Sequence, residues 1–304
     1  MEKVLNHSLR LIFAILFFTI YNPALIGQQA NSNHSTNEKW LTAKLVADKV
    51  WCIDDHGGDN MYLVEGDEKA LLIDAGRGLA DLKSFVQTLT SLPIIVVNTH
   101  GHPDHAGNDF QFDQVYAHPN DFQMIAQFTN KNYHDGAVAQ AIQNSPEFES
   151  QMVKDVEGFD ISRLVPVREG YVFDLGNRKL EVIEVPAHTQ GSIVLLDSAN
   201  KIIFTGDNNN NHIWLFLEGC SPVESYLEIL EKLKKRSNEF DIIMPGHTVP
   251  LDKTFIDEQI ACVKMILSGE CKGTKYENAI RNAMQCTYKR ALIAFNPENV
   301  YKKP

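Results

Sequence analysis

From Trp40 onward the apolar positions follow two rhythms. The short runs "KVWCID" (49–54), "NMYLVEG" (60–66) and "KALLIDAG" (69–76) are separated by turns such as "DDHGGDN" and "EGDE", which predicts strands joined in hairpins. "LADLKSFVQTLTSL" (79–92) carries apolar residues at helical spacing and leads into the strand "PIIVVN" (93–98), and "QVYAH" (114–118) is another strand. Residues 120 to about 160 read as helical pieces broken by Asn, Gly and Pro. Within them Phe122, Met124, Phe128 and Tyr133 either form a lid or pack the insert onto the body. Strand rhythm returns in "LEVIEVPAH" (180–188), "GSIVLLD" (191–197) and "KIIFTGD" (201–207). "SPVESYLEILEKLKKR" (221–236) is a helix, with Ser221 the expected N-cap, Pro222 at the first position and Glu224 closing a capping box. "DIIMPGH" (241–247) is the last strand of the pattern and "DKTFIDEQIACVKMIL" (252–267) the closing helix. No repeat, low-complexity tract or linker interrupts this body, so the alternation predicts one domain of layered α and β over residues 41–304.

The first 40 residues follow neither rhythm. "MEKVLNHSLR" carries Lys3 and Arg10, "LIFAILFFTI" is an apolar run, and Pro23 and Gly27 follow in "YNPALIGQQ". This is the layout of a secretory signal peptide over residues 1–27, cut near Gly27 or Gln28. An uncleaved membrane anchor is the alternative, but the run is shorter than the ~20 residues a span needs. Residues 28–40 read as a polar, flexible leader. The mature chain is therefore expected to be exported, periplasmic or secreted, with no stable membrane association.

Composition narrows the function classes. With 304 residues, 44% of them hydrophobic, the chain can bury a full core. A net charge of −11 argues against a nucleic-acid partner, whose phosphates reward a basic surface. Cys52, Cys220, Cys262, Cys271 and Cys286 form no C-x-x-C pair and have no zinc-cluster spacing. An exported chain could bridge some of them, an odd count leaves one unpaired, and buried inert thiols are the default expectation.

The chemistry gathers at strand ends. "NTHGHPDHAGN" (98–108) sets three histidines and an aspartate within six positions, directly after an apolar run. Side chains at i and i+2 of extended chain point the same way, so His100 and His102 share a face. Pro103 then turns the backbone and brings Asp104 and His105 back toward the same point. Imidazole and carboxylate together suit zinc or a similar divalent ion. Three further strands end in a potential ligand within a Gly- or Pro-containing turn: His188 in "PAHTQGS", Asp207 in "FTGD" and His247 in "PGH". Each alone reads equally as a turn former or a satisfied core group; together they make seven ligands, enough for two metals.

In these motifs, in this order, and in "LLIDAG" upstream, the chain resembles the metallo-β-lactamase-fold hydrolases over roughly residues 45 to 250. The resemblance implies an αββα sandwich, two mixed β-sheets face to face with helices outside. It also implies that His100, His102 and His188 hold one Zn2+, that Asp104, His105 and His247 hold a second, and that Asp207 bridges them. Two such ions sharing a hydroxide would attack a carbonyl or phosphorus centre, with Asp104 as the candidate catalytic residue orienting it. Ala187 and Gln190 depart from the family's "PGHTPGS" without touching a ligand. Asp207, where true β-lactamases carry Cys or Ser, sets the chain nearer glyoxalase II and lactonases, and Cys220 lies too far along to substitute. The expected reaction is hydrolysis of a small ester, lactone, thioester or amide. A secreted β-lactamase, a phosphodiesterase of the same fold and a non-catalytic metal binder are the alternatives. Asn208, His212 and Trp214, just after the bridging aspartate, are candidate substrate contacts. Only 57 residues follow His247, too few for the basic helical tail with which glyoxalase II relatives hold glutathione.

Overall fold

The computed structural model describes residues 38–277, 279 and 282–303, so the expected signal peptide and all but the last three residues of the expected leader lie outside the described residues. The elements follow in chain order. The first half holds β1 (Leu41–Ala47), β2 (Val50–Asp55), β3 (Asn60–Glu65), β4 (Ala70–Ile73), α1 (Leu82–Gln87), β5 (Ile94–Val97), α2 (Pro103–Ala106) and β6 (Val115–Ala117). The insert contributes α3 (Phe122–Phe128) and α4 (Lys131–Asn144), before β7 (Leu164–Pro166), β8 (Val172–Asp174), β9 (Lys179–Glu184), β10 (Ile193–Asp197) and β11 (Ile202–Gly206). The remainder is β12 (His212–Leu215), α5 (Val223–Lys235), β13 (Ile242–Pro245), β14 (Leu251–Asp252), α6 (Phe255–Leu267), β15 (Thr274–Lys275), β16 (Met284–Tyr288) and β17 (Ala291–Phe295).

Two mixed sheets form the centre. One runs β1 to β7 in sequence order and the other runs β14-β13-β11-β10-β9-β8. Side chains alternate between two apolar layers. Along β3, Met61 and Leu63 face the core shared with α1, α3 and α4, while Tyr62 and Val64 enter the layer between the sheets. In the second sheet Val194 and Leu196 pack under α5 and α6, while Ile193 and Leu195 meet the first sheet. Strands covered on both faces have no polar side to show, which is why "YLV", "ALLI" and "IVLL" read as unbroken apolar runs. The result is the expected four-layer αββα order.

Several elements differ from the sequence expectation. A third sheet of four strands, β12-β17-β16-β15, draws three of them from beyond the expected closing helix, with β12 and β17 pairing in parallel. Strand β1 was also absent from the pattern, and Trp40 before it is buried, its indole N–H donating to Asp55. Helix α5 starts at Val223 with no side-chain cap. The Ser221 hydroxyl instead donates to the Pro186 carbonyl (2.7 Å), and the Glu224 carboxylate accepts from the Lys302 backbone N–H (2.9 Å). Both side chains are drawn away by tertiary partners. Cys271 and Cys286 form a disulfide, leaving Cys52, Cys220 and Cys262 as free thiols. In the insert, Phe128 is buried and Phe122 and Tyr133 pack on the core, so the insert is fixed to the body. Among the described residues no helix is long and apolar enough to cross a membrane.

Candidate metal centre

The site is assembled at strand ends that Asp74 ties together. Asp74 directly follows β4, in the left-handed region (φ 64). Its carboxylate accepts from the Thr99 backbone N–H (2.6 Å) and hydroxyl (2.9 Å), and lies 2.9 Å from His105 Nδ1. This fixes the loop leaving β5. Pro103 then occupies the first position of α2 with Asp104 in its first turn, where a missing N–H and a negative charge are both tolerated. On the second sheet, Gly206 turns the chain at φ 47, where any side chain would run into Thr99, and delivers Asp207 beneath the same loop. Asp121 joins the two sides, accepting from Gly101 N–H (2.8 Å), Gly191 N–H (2.8 Å) and the Thr189 hydroxyl (2.6 Å).

All seven predicted ligands come together. His102 Nδ1 lies 3.0 Å from His100 Nε2 and 2.9 Å from His188 Nε2. His247 Nε2 lies 3.4 Å from Asp104, and His105 Nε2 3.8 Å from it. Asp207 spans both groups: Oδ1 stands 3.3 Å from His105 Nε2 and 3.2 Å from His247 Nε2, while Oδ2 stands 3.4 Å from His188 Nε2. Nitrogens about 2.0–2.1 Å from a tetrahedral zinc stand roughly 3.3 Å apart, so the triad spacing suits one ion.

The outward nitrogens fix which atoms point inward. His188 Nδ1 donates to the Trp214 carbonyl (2.8 Å) and His247 Nδ1 to the Gly58 carbonyl (2.8 Å). His105 Nδ1 donates to Asp74, and His100 Nδ1 to Thr99 Oγ1 (3.2 Å), whose own proton is committed to Asp74. Four histidines therefore direct Nε2 at the centre, the arrangement in which an outer acceptor orients a metal-binding imidazole. His105 Nε2 and Asp104 Oδ1 are sealed from solvent without a hydrogen bond. A divalent cation would give these two atoms the partner they lack. Three subsets can each hold a metal ion: His100, His102 and His188; Asp104, His105 and His247; and His100, His105 and Asp207.

Electrostatics keeps three of the imidazoles in binding form. At His105 burial opposes the charge, but Asp104, Asp74 and Asp207 outweigh it and raise the group well above its usual value, so a bound cation takes the place of its proton. Burial pushes His100 and His188 down, and His102 down to about 3, so these imidazoles are neutral. Burial opposes the charge of Asp104 and Asp207, but His105 and His247 outweigh it and hold both carboxyls below their usual range.

A cleft is lined by Asp104, Asp207 and His247 together with Arg77, Tyr133, Asn210, His212 and Trp214. His212 and Trp214 thus line the same cleft as the candidate ligands. Asn208 does not: the short 3-10 turn Asp207–Asn209 turns it into the core, where its carbonyl accepts from the Tyr226 hydroxyl (2.7 Å). Asn210 lines the cleft instead, donating to Asp207 Oδ1 (2.9 Å) and accepting from the His247 N–H (3.1 Å). Asp74, Asp121 and Asn210 are the supporting residues that sequence reasoning missed. The first two had one signal each, an Asp ending "ALLID" and an Asp at a helix start, both indistinguishable from ordinary turn formers.

The profile of the Metallo-beta-lactamase superfamily matches residues 55–247, a span containing all seven candidate ligands. The chain belongs to the metallo-β-lactamase superfamily. Within it, the chain is 28% identical over 235 residues to the acyl-coenzyme A thioesterase MBLAC2 of Bos taurus, covering 69% of this chain and 81% of that protein. The Homo sapiens protein of the same name is 27% identical over the same shares. The solved metallo-beta-lactamase from Pontibacter korlensis matches with a TM-score of 0.51 and 19% identity, covering 74% of this chain and 99% of that one, a likeness of fold.

Proposed function

We propose that the chain is a dinuclear zinc hydrolase that cleaves a small acyl thioester, or an ester of similar shape. The observation that carries this reading is the Asp207 carboxylate, one oxygen facing His105 and His247 and the other facing His188. His100, His102 and His188 would hold one ion, Asp104, His105 and His247 the other, and Asp207 both. Two such ions supply Lewis-acid polarisation and a water ionised near neutral pH. Asp104, with one oxygen free of hydrogen bonds beside the cleft, orients the attacking water. Asn210 holds Asp207 and His247 in register, and His212 and Trp214 flank the acyl group. Thioesters come ahead of lactones and amides because the curated relatives are named as thioesterases.

The test is metal analysis and a hydrolysis panel on the zinc-loaded protein: acyl-coenzyme A, simple thioesters, esters, lactones, nitrocefin and phosphodiesters. About two ions per chain and fastest turnover of a thioester are expected. One ion or fewer, or phosphodiester cleavage alone, would overturn the reading. We also propose export, supported by the N-terminal apolar run and by a Cys271–Cys286 disulfide of the kind that persists in oxidising compartments. Mass analysis of the protein from its source cell should find an N-terminus near Gln28; an intact Met1 in the cytosol contradicts export.

A further inference from the structure

Among the described residues lining the cleft, the polar atoms buried without a hydrogen-bond partner include Tyr133 Oη and His212 Nε2 as well as Asp104 Oδ1. Native proteins pair more than about nine-tenths of buried polar groups, so such atoms in a cleft point to a ligand. Tyr133 is also held rigidly. Its backbone N–H is fixed by the Asn130 side chain (3.1 Å) at the start of α4, and its ring packs edge-on against Phe128 at 5.2 Å. It lines the cleft with Pro103 and Asp104 of α2, the stretch that orients the attacking water in the proposed reaction. A phenol, with an ordinary pKa near 10, is a proton donor at neutral pH.

We propose that Tyr133 is a catalytic residue whose hydroxyl donates a hydrogen bond to the oxygen of the attacked acyl carbonyl as negative charge develops there. The inference rests on the acyl-hydrolase reading. Water attacks the acyl carbon, a C–O bond forms, and the carbonyl π pair moves onto the oxygen facing Tyr133. Collapse of the tetrahedral species expels thiolate with the C–S pair. Of the two protons of water, one ends on the thiol and the other passes to solvent from the carboxylic acid. Tyr133 keeps its own proton throughout, so its contribution is stronger hydrogen bonding in the transition state than in the ground state.

The test is Tyr133→Phe in the zinc-loaded protein. Loss of one such donor is worth about 100-fold in kcat, with KM little changed. An alkyl phosphonate, which mimics the tetrahedral oxyanion, should bind the variant at least about tenfold more weakly by calorimetry. Zinc content and thermal midpoint should be unchanged or the midpoint slightly raised, because the deleted hydroxyl had no partner to lose. Wild-type kcat and phosphonate affinity in the variant would overturn the proposal. So would a lowered midpoint with reduced zinc content, which marks a structural role. If the wild type hydrolyses no ester or thioester, the acyl-hydrolase reading falls, and the phosphonate comparison still decides whether Tyr133 meets an oxyanion.

Discussion

Asp74 offers no atom to either proposed metal, yet three of its hydrogen bonds decide where Thr99 and His105 stand. Removing an acceptor that orients a ligand commonly costs about 10- to 100-fold in metal affinity. Asp74→Ala is therefore expected to fold, to bind zinc 10- to 100-fold more weakly, and to recover hydrolysis as zinc is raised. Asp207→Ala deletes a carboxylate facing both clusters, so added zinc should not rescue it. Zinc titration of both variants, followed by hydrolysis, makes the comparison; full occupancy and wild-type rate in Asp74→Ala at ordinary zinc would contradict the positioning role. The ligands themselves were legible because histidine and aspartate crowd into "THGHPDH" and recur at strand ends. Their supporting acceptors were not, since backbone carbonyls of Gly58 and Trp214 leave no mark on a sequence.

Among the elements, β16 and β17 form a hairpin stapled to the end of α6 by the Cys271–Cys286 disulfide. The closed segment carries Tyr276, whose ring stands 5.1 Å from that of His212 and 5.7 Å from that of Phe216. The staple thus fixes part of the wall behind His212. A closed loop of this length stabilises by up to about 3 kcal/mol, or about 6–12 °C in the midpoint of a chain this size. Replacing both cysteines by serine should lower the midpoint by that order and raise KM more than it lowers kcat. A variant with wild-type midpoint and KM would show that the hairpin holds without its staple. The third sheet escaped sequence reading for a related reason. "MQCTY" and "HIWL" are short and mixed in polarity, and β12 is completed by β17, about eighty residues further along the chain. Strand character there comes from a partner, not from local pattern.

At the scale of the whole molecule, His100, His102, Asp104 and His105 follow β5 of the first sheet, while His188, Asp207 and His247 follow β9, β11 and β13 of the second. No single sheet holds a complete centre. It exists because Tyr62, Val64, Leu71 and Ile73 pack against Leu180, Val182, Ile193 and Phe204, which sets the two loop edges side by side. The sequence by itself determined the layered α/β order, the run of doubly buried strands and the seven ligand types. Apolar periodicity and the crowding of His and Asp are local properties, written along the chain. Tertiary structure alone decided the ring orientations of four histidines, the turn of Asn208 into the core and of Asn210 toward the cleft, the disulfide partner of Cys271 and the unmet hydroxyl of Tyr133. Each of these depends on which atom of a distant segment arrives within about 3 Å, the reach of a hydrogen bond, and spacing along a chain does not encode that.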